Sequence, residues 1–127
     1  MRRVWIVAAG LNGLAAVAVG AAAQHLWAGD PHRVLLSETA VRYGLPHAAV
    51  LLALVAIPIP QRRLARGLLA LAGACLALGV TLFSGSLFAL AAGAPGTLAM
   101  ATPVGGSLMI LGWGLLLAFG VALGRDH

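Results

Sequence analysis

Eight side chains in this sequence could do chemistry: His25, Glu38, Arg42, Tyr43, His47, Ser84, Ser86 and Thr102. They come from four separate parts of an otherwise largely apolar chain. Two histidines, His25 and His47, could ligate a metal ion or a haem if both imidazoles reached one point. Glu38 and Arg42 stand four residues apart and could pair on one helix face. His47 falls inside an apolar run, where an ionisable residue is by default a candidate for a proton or solute relay. The plainer role for that imidazole is a hydrogen bond to Ser84, to Tyr43 or to the Arg42 carbonyl, holding the second and third helices together. There is no nucleophile and base pair, no carboxylate dyad and no cysteine cluster, and the acidic residues number only three. The chain therefore reads as non-enzymatic, with no resident cofactor or metal expected.

What must position these groups is a membrane bundle. Of the 127 residues 61% are hydrophobic and 9% charged, with a mean hydropathy of +1.01; soluble domains carry roughly 25% charged residues. The net charge of +5 comes from arginines that flank apolar runs. Anionic lipid headgroups at the cytoplasmic face are the expected partners, and nucleic acid is set aside. Cys75 is the sole cysteine and lies in an apolar run, so it packs as a small hydrophobe.

The expected fold is all-α, an integral membrane four-helix bundle forming a single transmembrane domain, with spans over 4–25, 38–57, 66–92 and 103–123. The first resembles a signal peptide in its Arg2-Arg3 start and its Ala21-Ala22-Ala23 end, but its apolar part is too long for that, and a retained helix is expected. Ser37-Glu38-Thr39 reads as the start of the second helix, with Asp30 to Leu36 lying along the interface. Pro46 should kink that helix by leaving the Arg42 carbonyl without its donor, and Pro58 and Pro60 end it. Gly93-Ala94-Pro95-Gly96 closes the third span, Thr102 caps the fourth with Pro103 at its first position, and Gly124 stops it.

Four spans place Arg2, Arg3, Arg62, Arg63, Arg66 and Arg125 on one side against Arg33 and Arg42 on the other, so both termini are expected in the cytoplasm. Trp5 and Trp27 fall at opposite interfaces as aromatic anchors. Helix arithmetic puts His25, Glu38, Arg42, Ser84, Ser86 and Thr102 in one outer layer, with His47 roughly 10 to 15 Å below it. A straight-helix count thus separates the two histidines by more than two turns. The ridge Thr81, Gly85, Ala89, Gly93 and the pairs Ala16/Gly20 and Gly120/Gly124 have the spacing of close helix packing. Asn12 and Trp113 share a mid-bilayer depth and could bond across the first and fourth helices.

In order, the chain shows Gly20-Ala21 before His25, Thr39-Ala40-Val41-Arg42-Tyr43 before His47-Ala48, Phe83-Ser84-Gly85-Ser86-Leu87, Thr102-Pro103-Val104-Gly105-Gly106 and Gly112-Trp113. This order and spacing resemble the YgdD-type inner-membrane proteins, a family of unknown function with animal relatives. The resemblance covers nearly the whole chain and implies a small four-helix protein of the bacterial inner membrane. This chain differs from the family pattern at Ala22, Ala23 and Gly44-Leu45-Pro46. Two functions stand open. One is a structural or accessory component that packs as a homo-oligomer or within a larger membrane complex. The other is a small oligomeric channel or transporter using His47 and the outer polar layer.

Overall fold

The computed structural model describes residues 1–124, so Arg125, counted above among the arginines of one end, lies outside the described residues. Four helices follow one another: α1 (Arg2–Leu26), α2 (Pro31–Ala56), α3 (Arg63–Ala91) and α4 (Ala101–Gly124), the last entered through a 3-10 turn over Gly96–Met100. No strand occurs among the described residues. All four are long and apolar enough to cross a bilayer. At 29 residues α3 would measure about 43 Å, so it must tilt within or project from a hydrocarbon layer of about 30 Å.

The second helix begins at Pro31 rather than at Glu38. Asp30 is its N-cap: the side chain accepts the Arg33 N–H at 3.2 Å, and Pro31 occupies the first turn, where its missing N–H costs nothing. The stretch expected along the interface is therefore the polar first turns of α2. Helical structure runs unbroken across Pro46 to Ala56. Thr102 likewise is not a cap, because the 3-10 turn leads directly into α4 and leaves Thr102 inside the helix.

The turn after α3 behaves as its residues require. Gly93 has φ +99°, and the Ala94 N–H reaches back to the Ala89 carbonyl at 2.9 Å while the Gly93 N–H reaches Leu90 at 3.1 Å. This is a Schellman ending, and it needs a residue tolerant of positive φ. Gly93→Val is expected to destabilise the protein by roughly 1–2 kcal/mol, read as a lowered thermal midpoint in detergent.

The helices are not equivalent. α3 is the centre, packed on α1, α2 and α4, whereas the α4 backbone closely approaches α3 and the 3-10 turn and neither α1 nor α2 among the described residues. The α3–α4 contact is an antiparallel seam in which paired residue numbers add to 188: Ser86 with Thr102, Phe83 with Gly105, Gly79 with Met109 and Leu76 with Gly112. On α4 the seam residues Gly105, Met109, Gly112, Leu116 and Phe119 alternate steps of four and three. That is a period of 3.5, the signature of a left-handed crossing. A Cβ on Gly79 would lie 2.8 Å from the Gly105 carbonyl oxygen, and one on Gly112 would lie 2.7 Å from Leu76 Cγ. The close approach depends on glycine at each of these points.

Three sequence expectations about packing change. Gly85, in the ridge Thr81, Gly85, Ala89, Gly93, faces open space, as do Gly120 and Gly124; Gly20 does pack, against Val41. Trp5 is no interfacial anchor but a core residue, 2% exposed, with its indole lying directly on Gly73. Trp27 remains partly exposed at the end of α1.

The Arg2 guanidinium donates to the Ile57 carbonyl at 3.3 Å, which places the N-terminus beside the α2–α3 connection. At the opposite end, the Arg33 guanidinium on the first turn of α2 lies against Gly93, which closes α3. The basic end and the end carrying the polar turns are thus distinct.

Candidate functional site

His47 lies in the middle of the bundle and is 8% exposed. Counting from the Ala56 end of α2 puts it about 14 Å along, and counting from the Gly124 end of α4 puts Trp113 about 17 Å along. Trp113 Nε1 donates to His47 Nε2 at 3.1 Å, and His47 Nδ1 lies 2.8 Å from the Tyr43 carbonyl oxygen. An indole N–H can only donate and a carbonyl can only accept, so the two partners together select the neutral Nδ1–H tautomer. The rings meet edge-on, with centroids 6.0 Å apart and planes at 74°. This pair bridges α2 and α4 across a cavity of about 290 Å³, walled by Tyr43, Phe83, Gly106 and Ile110. Tyr43 and Phe83 close one side through an edge-to-face contact at 4.9 Å.

Three further buried polar groups, Ser84, Ser86 and Asn12, are also bonded. Ser84 donates from α3 to the Ala40 carbonyl of α2 at 2.8 Å, a contact permitted by Gly44, where an added Cβ would meet Ser84 Oγ at 3.4 Å. Ser86 bonds to the Phe83 carbonyl at 2.9 Å and to Thr102 Oγ1 at 2.6 Å. Because Ser86 has one proton and gives it to the carbonyl, Thr102 is the donor in the α4–α3 bond. Asn12 donates to Thr81 at 3.0 Å and to Ala8 at 2.8 Å, and Thr81 passes its own proton to the Ala77 carbonyl at 2.7 Å. Asn12 therefore ties α1 to α3, not to α4. Its expected partner Trp113 is taken by His47, since α1 and α4 lie on different sides of α3.

The outer members of the expected set separate. Glu38 Oε1 accepts from Gln24 Nε2 at 3.4 Å and makes no ion pair with Arg42; both charged side chains are exposed on the α1–α2 edge. His25 is exposed in the last turn of α1 and makes no side-chain hydrogen bond. Among the described residues, no group of three or more His, Cys, Asp or Glu comes together in a metal-binding arrangement. For a paired histidine site, His47 would have to give up Trp113 or Tyr43, because both its ring nitrogens are already engaged. Residues with no place in the expected set prove central: Trp113, Thr81 and Gln24 hold His47, Asn12 and Glu38 respectively. The depth match between His47 and Trp113 was available from the sequence; the side of α3 on which each helix packs was not.

Comparison with known proteins agrees with this architecture. Residues 19–106 match the family described as Protein of unknown function (DUF423). That span includes all eight candidate residues and leaves Asn12 and Trp113 outside. The chain is 33% identical over 122 residues to a UPF0382 membrane protein of Haemophilus influenzae, covering 94% of each. It is 31% identical over 125 residues to the UPF0382 inner membrane protein YgdD of Escherichia coli K12, covering 97% of this chain and 93% of that one. A UPF0382 membrane protein of Schizosaccharomyces pombe is 32% identical over 122 residues, which are 90% of this chain and 98% of the relative. No solved structure matches. Four membrane-length helices and near full-length similarity to these relatives make the chain a member of the DUF423 family, a small polytopic inner-membrane protein of the YgdD type.

Proposed function

We propose that this protein is a non-enzymatic structural or accessory component of the inner membrane that packs with copies of itself or within a larger membrane complex. One observation carries the reading. Each buried donor chain ends on a main-chain carbonyl: Trp113 through His47 to Tyr43, Thr102 through Ser86 to Phe83, Asn12 through Thr81 to Ala77, and Ser84 to Ala40. A carbonyl accepts a proton's hydrogen bond but cannot pass a proton on, so these chains hold helices together and lead nowhere. Isolation in mild detergent, with native mass spectrometry of what stays bound, tests it. Assemblies containing more than one copy, or defined membrane subunits in fixed ratio, are expected; a lone monomer would overturn the reading.

A channel or transporter is the second reading, favoured by the cavity of about 290 Å³ beside His47. Solute or proton flux into proteoliposomes carrying only this protein would support it.

In the proposed orientation both termini face the cytoplasm, since Arg2, Arg3, Arg62, Arg63 and Arg66 gather at one end and Arg33 and Arg42 at or towards the other. Single cysteines placed at exposed Ala28 or Gln61 in a Cys75→Ala background check this with a membrane-impermeant maleimide. Ala28→Cys is expected to react from the periplasmic side, and Gln61→Cys only after the membrane is opened.

A further inference from the structure

A cleft of about 630 Å³ runs between α1 and α2, lined by polar groups of both helices. Ser37 lines it, is 1% exposed, and has the one buried side-chain oxygen or nitrogen without a hydrogen-bond partner among the described residues. Three other helical hydroxyls are satisfied locally, Thr39 by Leu35, Thr81 by Ala77 and Ser107 by Pro103, each four residues earlier, and Ser84 and Thr102 are satisfied by a neighbouring helix. Ser37 makes no such bond, and an unpaired buried hydroxyl costs about 1–3 kcal/mol. A hydrogen-bonding group entering the cleft would relieve that cost once the hydroxyl turns towards it.

The walls say what kind of group. Along α1 the cleft extends from Gln24 to Ala16 and along α2 from Ser37 to Leu45, eight residues or about 12 Å on each helix. Its upper rim is Gln24, Ser37 and Glu38; its lower part is Ala16, Val17, Val41 and Leu45. Polarity therefore falls towards the bilayer centre, as it does along a phospholipid in that leaflet. Gly20 forms part of the wall, where α1 and α2 touch so closely that an added Cβ would lie 2.7 Å from Val41 Cγ2. The cleft opens sideways, since Val17, Ala21, Glu38, Arg42 and Leu45 on its edges are exposed.

The two charges select the headgroup. Glu38 and Arg42 are not paired with each other, and Arg42 sits one turn deeper, about 6 Å towards the bilayer centre. A zwitterionic phospholipid has the same order, with its ammonium outermost and its phosphate beneath. We infer that the α1–α2 cleft binds a phosphoethanolamine lipid, its ammonium on Glu38, its phosphate between Arg42 and Ser37, and one acyl chain along Val17, Val41 and Leu45. The Glu38 carboxylate accepts one N–H from Gln24 and keeps acceptor positions for a primary ammonium. A choline head has no N–H to donate to it, and a glycerol head offers no positive charge.

The test uses the full chain in nanodiscs of phosphatidylethanolamine, phosphatidylglycerol and phosphatidylcholine in equal amounts with matched acyl chains, read by native mass spectrometry of retained lipid. Retention of the ethanolamine lipid about tenfold over the glycerol lipid is expected, as a charge-assisted hydrogen bond gives. Glu38→Gln is expected to abolish the preference, and Arg42→Gln or Ser37→Ala to reduce retention of every phospholipid. Soluble phosphoethanolamine should not displace the bound lipid, because the apolar walls then contribute nothing. Glu38 and Arg42 are exposed, so an unchanged thermal midpoint shows that the variants are folded. Equal retention of the three lipids, a preference that survives Glu38→Gln, or displacement by the free headgroup would each overturn the assignment.

Discussion

Gly105→Leu is expected to separate α4 from the rest of the protein. A Cβ at this position would lie 2.5 Å from the Phe83 nitrogen and 2.6 Å from the Gly79 oxygen, so both obstacles are backbone of α3 and neither can rotate away. The helices must move apart, and overpacking of this kind costs about 1–3 kcal/mol, towards the upper end where the obstacle is backbone. Separation also breaks the Ser86–Thr102 and His47–Trp113 bonds, which are the polar ties of α4 to the other helices. In a bilayer, apolar side chains gain nothing by leaving lipid for protein, so lost contact at the seam is not recovered elsewhere. The readout is a disulfide formed between cysteines introduced at Ser86 and Thr102, abolished in Gly105→Leu and retained in the parent. Gly106→Ala is the control: its Cβ would meet the Phe83 ring at an ordinary 3.7 Å, and a change below about 0.5 kcal/mol is expected.

Trp113→Phe is expected to cost about 1–2 kcal/mol, because it leaves His47 Nε2 buried without a donor, and the smaller ring adds little to that since the indole is 48% exposed. Removing both partners, as in His47→Leu with Trp113→Phe, should cost less than the two single changes together, with a coupling of about 0.6 to 1.7 kcal/mol. Nitrogen NMR gives an independent check. His47 should show a protonated Nδ1 and an unprotonated Nε2, and only the Nε2 resonance should move strongly in Trp113→Phe. Strict additivity, or an Nε2–H tautomer in the native protein, would remove the α2–α4 bridge from the account.

How much of this was legible in the sequence follows from what hydropathy can and cannot encode. Four spans were readable because length and apolarity alone define them. His47 as a helix tie is readable too, but the sequence points it to the third helix, whereas its partner is Trp113 of α4 and Ser84 bonds to Ala40 instead. Depth along the bilayer can be counted from helix ends, but the side of α3 on which α1 or α4 sits leaves no mark in a chain apolar on every face. For that reason Asn12 and Trp113 were matched by depth and assigned to the wrong neighbours. The glycine seam escaped for a related reason. A spacing of four selected Gly85, Gly120 and Gly124, which face open space, whereas the contact uses alternating steps of four and three through Gly105, Met109 and Gly112. Asp30-Pro31 carries a plain helix start, but Ser37-Glu38-Thr39 has cap-forming residues as well, and the polar His32 and Arg33 before it read as an interfacial stretch. Those turns form the polar end of α2, above its apolar length.

In the proposed function the bonded buried groups, His47 above all, fasten the helices and do not conduct. The measurement that meets it most directly is made on purified His47→Ala beside the native protein, with the thermal midpoint in detergent and proton flux in proteoliposomes followed on the same preparations. A lowered midpoint and reduced accumulation in the membrane are expected for His47→Ala, with no flux through either protein above that of empty vesicles. A proton flux carried by the native protein and abolished in His47→Ala, at an unchanged midpoint, would contradict the proposed function.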